Sequence, residues 1–104
     1  MLFRSSATLA DVERSLERVV DSESAHFALV WDDATRNERL LLAALAREPG
    51  RPYAVDYRRR HGLVSASHVQ KSLTALLRRG LVRREPDGGY HIAEPFLPRW
   101  LERL

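Results

Sequence analysis

Apolar side chains recur every three or four residues over most of this chain and every second residue near its end, a change of period from helix to strand. The first stripe is Leu9, Val12, Leu16, Val19 and Val20, opened by Thr8 with Asp11 three residues on, the pattern of a capping box. It predicts a helix to about Val20. The polar run Asp21 to Ser24 then predicts a break or bend, with Phe27, Val30 and Trp31 as the stripe of a second, shorter helix. Thr35 and Glu38 form another capping box ahead of Leu40, Leu41, Leu42, Ala44 and Leu45, and Pro49-Gly50 ends that helix.

The next pair of helices is separated by a short turn. Tyr53 to His61 reads as a short helix stopped by Gly62, and the four residues Gly62 to Ser65 lead into a helix capped by Ser65, which is helix-turn-helix spacing. In the second helix Ala66, Val69, Leu73, Leu76 and Leu77 fall on one side, with Leu73 expected deep in the core, and Gly80 supplies a left-handed stop. The opposite side carries Ser67, His68, Lys71, Ala75 and Arg78. Leu81 to Glu85 and Tyr90 to Ala93 then alternate as two strands around Asp87-Gly88-Gly89, a turn able to take positive φ, so a β-hairpin wing follows.

Pro95 and Pro98 cannot both sit deep in one helix, so a last short helix begins near Leu97, with Phe96, Trp100, Leu101 and Leu104 covering the domain's edge. The fold class is mainly α with a small β-hairpin wing: a winged helix-turn-helix preceded by two N-terminal helices and closed by a short C-terminal one. Residues 1–34 form a helical extension and residues 35–104 the winged domain. The whole chain is 104 residues, room for one modest core.

Composition narrows the chemistry. There is no cysteine, which excludes disulfides and thiolate metal sites, and the longest apolar run, Leu40 to Ala46, is far too short to cross a bilayer. A cytoplasmic protein with no membrane contact is expected. Charge is unevenly spread: residues 1–34 hold three Arg and seven acids, residues 35–104 fourteen basic and seven acidic side chains. Between Arg51 and Arg84 nine basic residues face one acid, Asp56. That footprint suits a polyanion, although sixteen Arg to one Lys also fits a plain solvated face in an Arg-rich composition.

The ending GLVRREPDGGYHIAEPFLPRWLERL resembles the close of the C-terminal domain of archaeal-type AAA or STAND ATPases: Gly-Leu-Val, a hairpin, Tyr-x-Ile-x-Asp-Pro-Phe, then a Trp-containing helix. The stretch REPGRPYAVDYRRRHGLVSASHVQKSLTALLRRGLV is similar to the same family's central part, so the resemblance covers residues 35–104. Three departures stand out: Ala54 where a capping Ser is common, Ala34-Thr35-Arg36-Asn37 in place of a Leu-Ser/Thr-Pro entry, and Glu94 in place of Asp before Pro95. The resemblance implies a winged helix attached to an ATPase module, with residues 1–34 as a lid-like remnant or a dimerisation arm. Gly50, Gly62, Gly80, Gly88 and Gly89 make no phosphate loop, so any ATPase activity would reside in a module outside this chain.

Catalytic constellations are weak. Ser65, Ser67 and His68 are close in sequence, but helical neighbours do not face each other and no third group orients a base. His26, His61, His68 and His91 fall on four elements without paired metal-ligand spacing, and no cofactor is implied. Binding of double-stranded DNA is the stronger expectation. The exposed part of the second motif helix offers Ser65, Ser67, His68, Lys71 and Arg78, with Arg79 behind, while Arg58, Arg59, Arg60, Arg83 and Arg84 add phosphate contacts from the preceding helix and the wing. No Arg stands in the first two turns of that helix, so binding is expected to be phosphate-led and weakly sequence-specific, as in a transcription regulator or an ATPase's DNA-facing module. The alternative is a regulatory winged helix that faces protein. The apolar stripes of the extension exceed what a winged helix buries, which predicts a homodimer through the N-terminal helices.

Overall fold

The polar run at Asp21 to Ser24 does not interrupt the N-terminal helix. The computed structural model describes residues 8–104, and in it α1 runs unbroken over Leu9–Asp32, so the two expected N-terminal helices are one. The reason is local. Nothing between Leu9 and Asp32 is Gly or Pro, Ser and Asp are only mildly poor helix formers, and Glu is a good one. Three of the four polar residues also find a use: Ser22 Oγ donates to Val19 O at 2.8 Å, Arg103 Nη1 donates to Asp21 Oδ1 at 2.7 Å, and Trp100 Nε1 donates to Ser24 Oγ at 3.1 Å. Thr8 and Asp11 form the expected capping box.

α2 spans Arg36–Arg47 behind the Thr35–Glu38 capping box. α3 is shorter than its sequence pattern, Val55–His61, because Ala54 N donates to Arg51 O at 3.1 Å and holds Tyr53 in a turn; Ala54 offers no side-chain cap. Gly62 closes α3 at φ 67°, and α4, Ala66–Arg78, starts at Ser65, whose Oγ accepts from His68 N. Gly80, at φ 74°, turns the chain into β1, Val82–Arg84. β1 pairs antiparallel with β2, Tyr90–Ile92, in the register Val82↔Ile92, Arg83↔His91, Arg84↔Tyr90. Gly50 pairs with Tyr90 as a third, single-residue strand, and Gly89 lies close against it: an added Cβ would meet Asp87 Oδ1 at 3.2 Å and Gly50 O at 3.4 Å. α5, Leu97–Leu101, begins where the prolines require.

One core joins all five helices and the hairpin. Leu41, Leu42 and Leu45 from α2 meet Tyr57, Val69, Leu73 and Leu76, capped by Val82, Ile92, Leu97 and Trp100. Leu73 is 1% exposed, as its spacing requires. The inward face of α4 is rotated from the expected one: Ser72 is buried, while Ala66 and Leu77 are exposed. Leu104 is exposed too, and Leu97 instead fills the edge of the core. From α1 only Val20, Phe27 and Val30 enter this core. Its first three turns lie outside that core, reached from the C-terminal end by the Arg99 and Arg103 side chains at Glu13 and Glu17, and the radius of gyration is 16.2 Å where a compact chain of about 100 residues has about 13 Å. Among the described residues no helix is long and apolar enough to cross a membrane.

The junction of α2 and α3 is held by one acid. Glu48 O accepts from Tyr57 OH at 2.7 Å, while its carboxylate lies 2.6 Å from His61 Nε2 and 2.9 Å from Arg60 Nη2. Its bond to His61, then that to Arg60, holds the Glu48 carboxyl below its ordinary range. A depressed folded-state pKa stabilises the protein above the unfolded value and loses that contribution as pH falls through the folded one. Glu48→Gln is therefore expected to lower the melting temperature at pH 7, with the gap to the native chain shrinking as pH falls below the ordinary carboxyl value of 4.5 and through the lower folded-state one. A gap that stays constant as the pH is lowered would assign the loss to packing.

Candidate nucleic-acid interface

The outer surface of α4 is a ridge, and its position follows from which residues the core takes. With Val69, Ser72, Leu73 and Leu76 inward, a turn of about 100° per residue puts Ser67, Lys71, Thr74 and Arg78 directly opposite, and all four are exposed. Gln70 flanks them. Thr74 and Gln70 escape a reading of the sequence that counts Leu77 as core; treating Ser72 as buried would have found them. His68 is exposed but stands to one side of the ridge, lining the cleft between α2 and α4. Ser65, half-buried, serves the helix as its cap and shares a 2.8 Å hydrogen bond with Ser67.

The cations flanking this ridge fall into two groups. Arg60 is held by Glu48 and lies over the Tyr57 ring, Arg79 lies 3.5 Å from Glu38 Oε1, and Arg58 Nε donates to Tyr53 O at 3.3 Å. Those three act partly as structural ties. Arg59, Lys71, Arg78, Arg83 and Arg84 are exposed, and among the described residues no carboxylate lies within ion-pair distance of any of them. On the wing Glu85 lies 2.8 Å from His91 Nδ1, at an angle that makes no hydrogen bond. Arg83 and Arg84 keep their charge to the solvent.

The wing itself is pinned at its turn. Gly88 adopts φ 91°, Glu85 N donates to Gly89 O at 2.7 Å, and the Arg51 guanidinium donates to Asp87 O while Tyr53 OH donates to Gly88 O at 3.3 Å. Arg51 and Tyr53 thus tie the α2–α3 connection to the hairpin, a role their sequence neighbourhood does not disclose.

A three-helix core, a turn-linked helix pair, a hairpin against the second helix of that pair and a third single-residue strand define the architecture. A family described as "Probable winged helix domain" matches residues 25–103. The chain belongs to this winged-helix family. The match starts inside α1, so it takes in Phe27 and Val30 of the core but not Val20, and the first turns of the helix lie outside it. Comparison with curated proteins and with solved structures gives no significant match.

Two hollows open beside the α4 ridge. A cleft of about 270 Å³ lies between the start of α2, the α3–α4 turn and the start of α4, with Leu41, Leu63 and Val69 in its wall and Leu40 and Val64 exposed at its mouth. A second, of about 270 Å³, continues it along Asn37, Glu38, Lys71 and Ala75. Among the described residues no group of His, Asp and Glu side chains is placed to hold a metal ion.

Proposed function

We propose that this winged helix binds double-stranded DNA, with α4 in the major groove and the hairpin against the flanking backbone. The observation that carries the reading is the clustering of unpaired charge. Arg14, Arg39, Arg60, Arg79, Arg99 and Arg103 all have acidic partners, whereas the cations on the α4 ridge and the wing have none within the described residues; elsewhere on the surface Arg18, Arg36, Arg47 and Arg51 also lack one, but singly and on other elements. Exposed, unpaired cations gathered on one motif are what counterion release requires. Lys71 and Arg78 meet phosphates from the ridge, Arg83 and Arg84 from the wing, and Arg59, with Arg58 behind it, from α3. Ser67 and Thr74 are short side chains for base edges, with Ser65 and His68 beside them, so affinity is phosphate-led and sequence preference weak.

In this reading the chain is a small cytoplasmic regulator or the C-terminal module of a larger ATPase of the AAA or STAND type, and any nucleotide hydrolysis belongs to another module. The cleft beside α2 favours a second reading, a regulatory winged helix that faces protein, because Val64 is 92% exposed at its mouth. The two differ in salt dependence. Lys71→Ala is expected to weaken duplex binding and flatten the slope of log affinity against log salt by about one unit, with the melting temperature unchanged. Fluorescence anisotropy with a labelled duplex across a salt series measures it, and an unchanged slope would favour the protein-facing reading.

A further inference from the structure

The first turns of α1 carry an apolar stripe that the winged helix leaves uncovered. Leu9 is 78% exposed, Val12 46% and Val19 37%. Between them Val12, Ser15, Leu16 and Val19, with Asp11 at the rim, enclose a hollow of about 240 Å³ on the helix surface. Their spacing is i, i+3, i+4 and i+7, the four corners of the hole that receives a knob from a second helix in coiled-coil packing. A second helix laid along this strip would cover it.

We propose that the occupant is α1 of a second copy of this chain, lying antiparallel about a two-fold axis between Ser15 and Leu16. This pairing does not rest on the DNA-binding reading. In that register Val12 meets Val19 of the second copy, while Ser15 meets Ser15 and Leu16 meets Leu16 beside the axis, so the same apolar strip lines both sides of the contact. Ser15 and Ser22 on one flank are small enough for close approach of the two backbones. Charge agrees. Arg18, which has no acidic partner among the described residues, comes within reach of Asp11 of the second copy, a half-exposed carboxylate that it shares with that copy's Arg14. On the other flank Glu13, Glu17 and Asp21 are already neutralised by Arg99 and Arg103 of α5. A parallel, in-register pairing sets Asp11 against Asp11 and Arg18 against Arg18, and opposes the helix dipoles' preference. Two faces of three turns bury on the order of 1,000 Å², the lower end for a specific interface, so the dimer is weak and reversible.

Analytical ultracentrifugation of the full chain over a range of micromolar concentrations is expected to show reversible monomer–dimer exchange. Val12→Glu with Val19→Glu is expected to abolish it without changing the melting temperature, since both positions are exposed. Orientation is read by single thiols, because the chain has no cysteine of its own. Ser15→Cys lies at the axis and is expected to join two chains through a short bis-maleimide linker. Ser22→Cys faces residue 9 across the axis and lies about 20 Å from its own copy, so it is expected not to join. A monomer at every concentration, a dimer that survives the double glutamate variant, or linkage at Ser22→Cys would each overturn the proposal.

Discussion

Replacing Phe27 with alanine is expected to destabilise the fold by about 3–5 kcal/mol, much of the about 5–15 kcal/mol available to a single domain. Phe27 is fully buried, and its ring lies 6.1 Å from that of Trp100 at an interplanar angle of 55°. With Val20 and Val30 it joins α1 to the core that α2 and α5 share. Truncation removes the transfer energy of the ring and leaves a cavity that rigid neighbours on three elements close only in part. Urea unfolding followed by circular dichroism is expected to show a lower midpoint at unchanged slope. A loss below about 1 kcal/mol would mean that α1 is detached from the winged helix in solution, since only an unpacked aromatic is so cheap to remove. Val12→Glu with Val19→Glu, on the same helix but outside the core, provides the contrast of a large chemical change with no loss of stability.

Reversing the wing, Arg83→Glu with Arg84→Glu, is expected to weaken duplex binding on the order of 100-fold, since each charge-assisted hydrogen bond is worth at least about 1.5 kcal/mol, or roughly tenfold. Repulsion between the new carboxylates and the phosphates adds to that. The salt slope is expected to fall by about two units, one for each phosphate that the wing no longer neutralises. Both side chains are exposed and neither belongs to an ion pair of the described residues, so the hairpin keeps its register Val82↔Ile92 and its turn. Anisotropy titrations at several salt concentrations measure both quantities. Unchanged affinity in a folded variant would remove the wing from the interface and leave α4 without its flanking support.

Elements marked by local chemistry were legible in the sequence. The Thr35–Glu38 box, the stops at Gly62 and Gly80, the Ser65 cap and the start of α5 between two prolines all depend on a few adjacent residues. Each of these formed as that chemistry dictates. The composition of the α4 surface was legible too, because cations on the outer face of an amphipathic helix are visible in its period. What is decided by residues far apart was not. Asp21 and Ser24 read as a helix break until Arg103 and Trp100, about eighty positions away in sequence, arrive as their partners. The rotation of α4 that buries Ser72, exposes Leu77 and brings Thr74 onto the ridge depends on where α2 presses against it. Which arginines stay free for a polyanion is likewise a tertiary matter: Arg60 and Arg79 read as free cations in sequence, but folding brings Glu48 and Glu38 to them. Helix caps and apolar periods are short-range and survive in the sequence alone. Charge pairing and helix phase are set by which surfaces meet, and only the folded chain decides that.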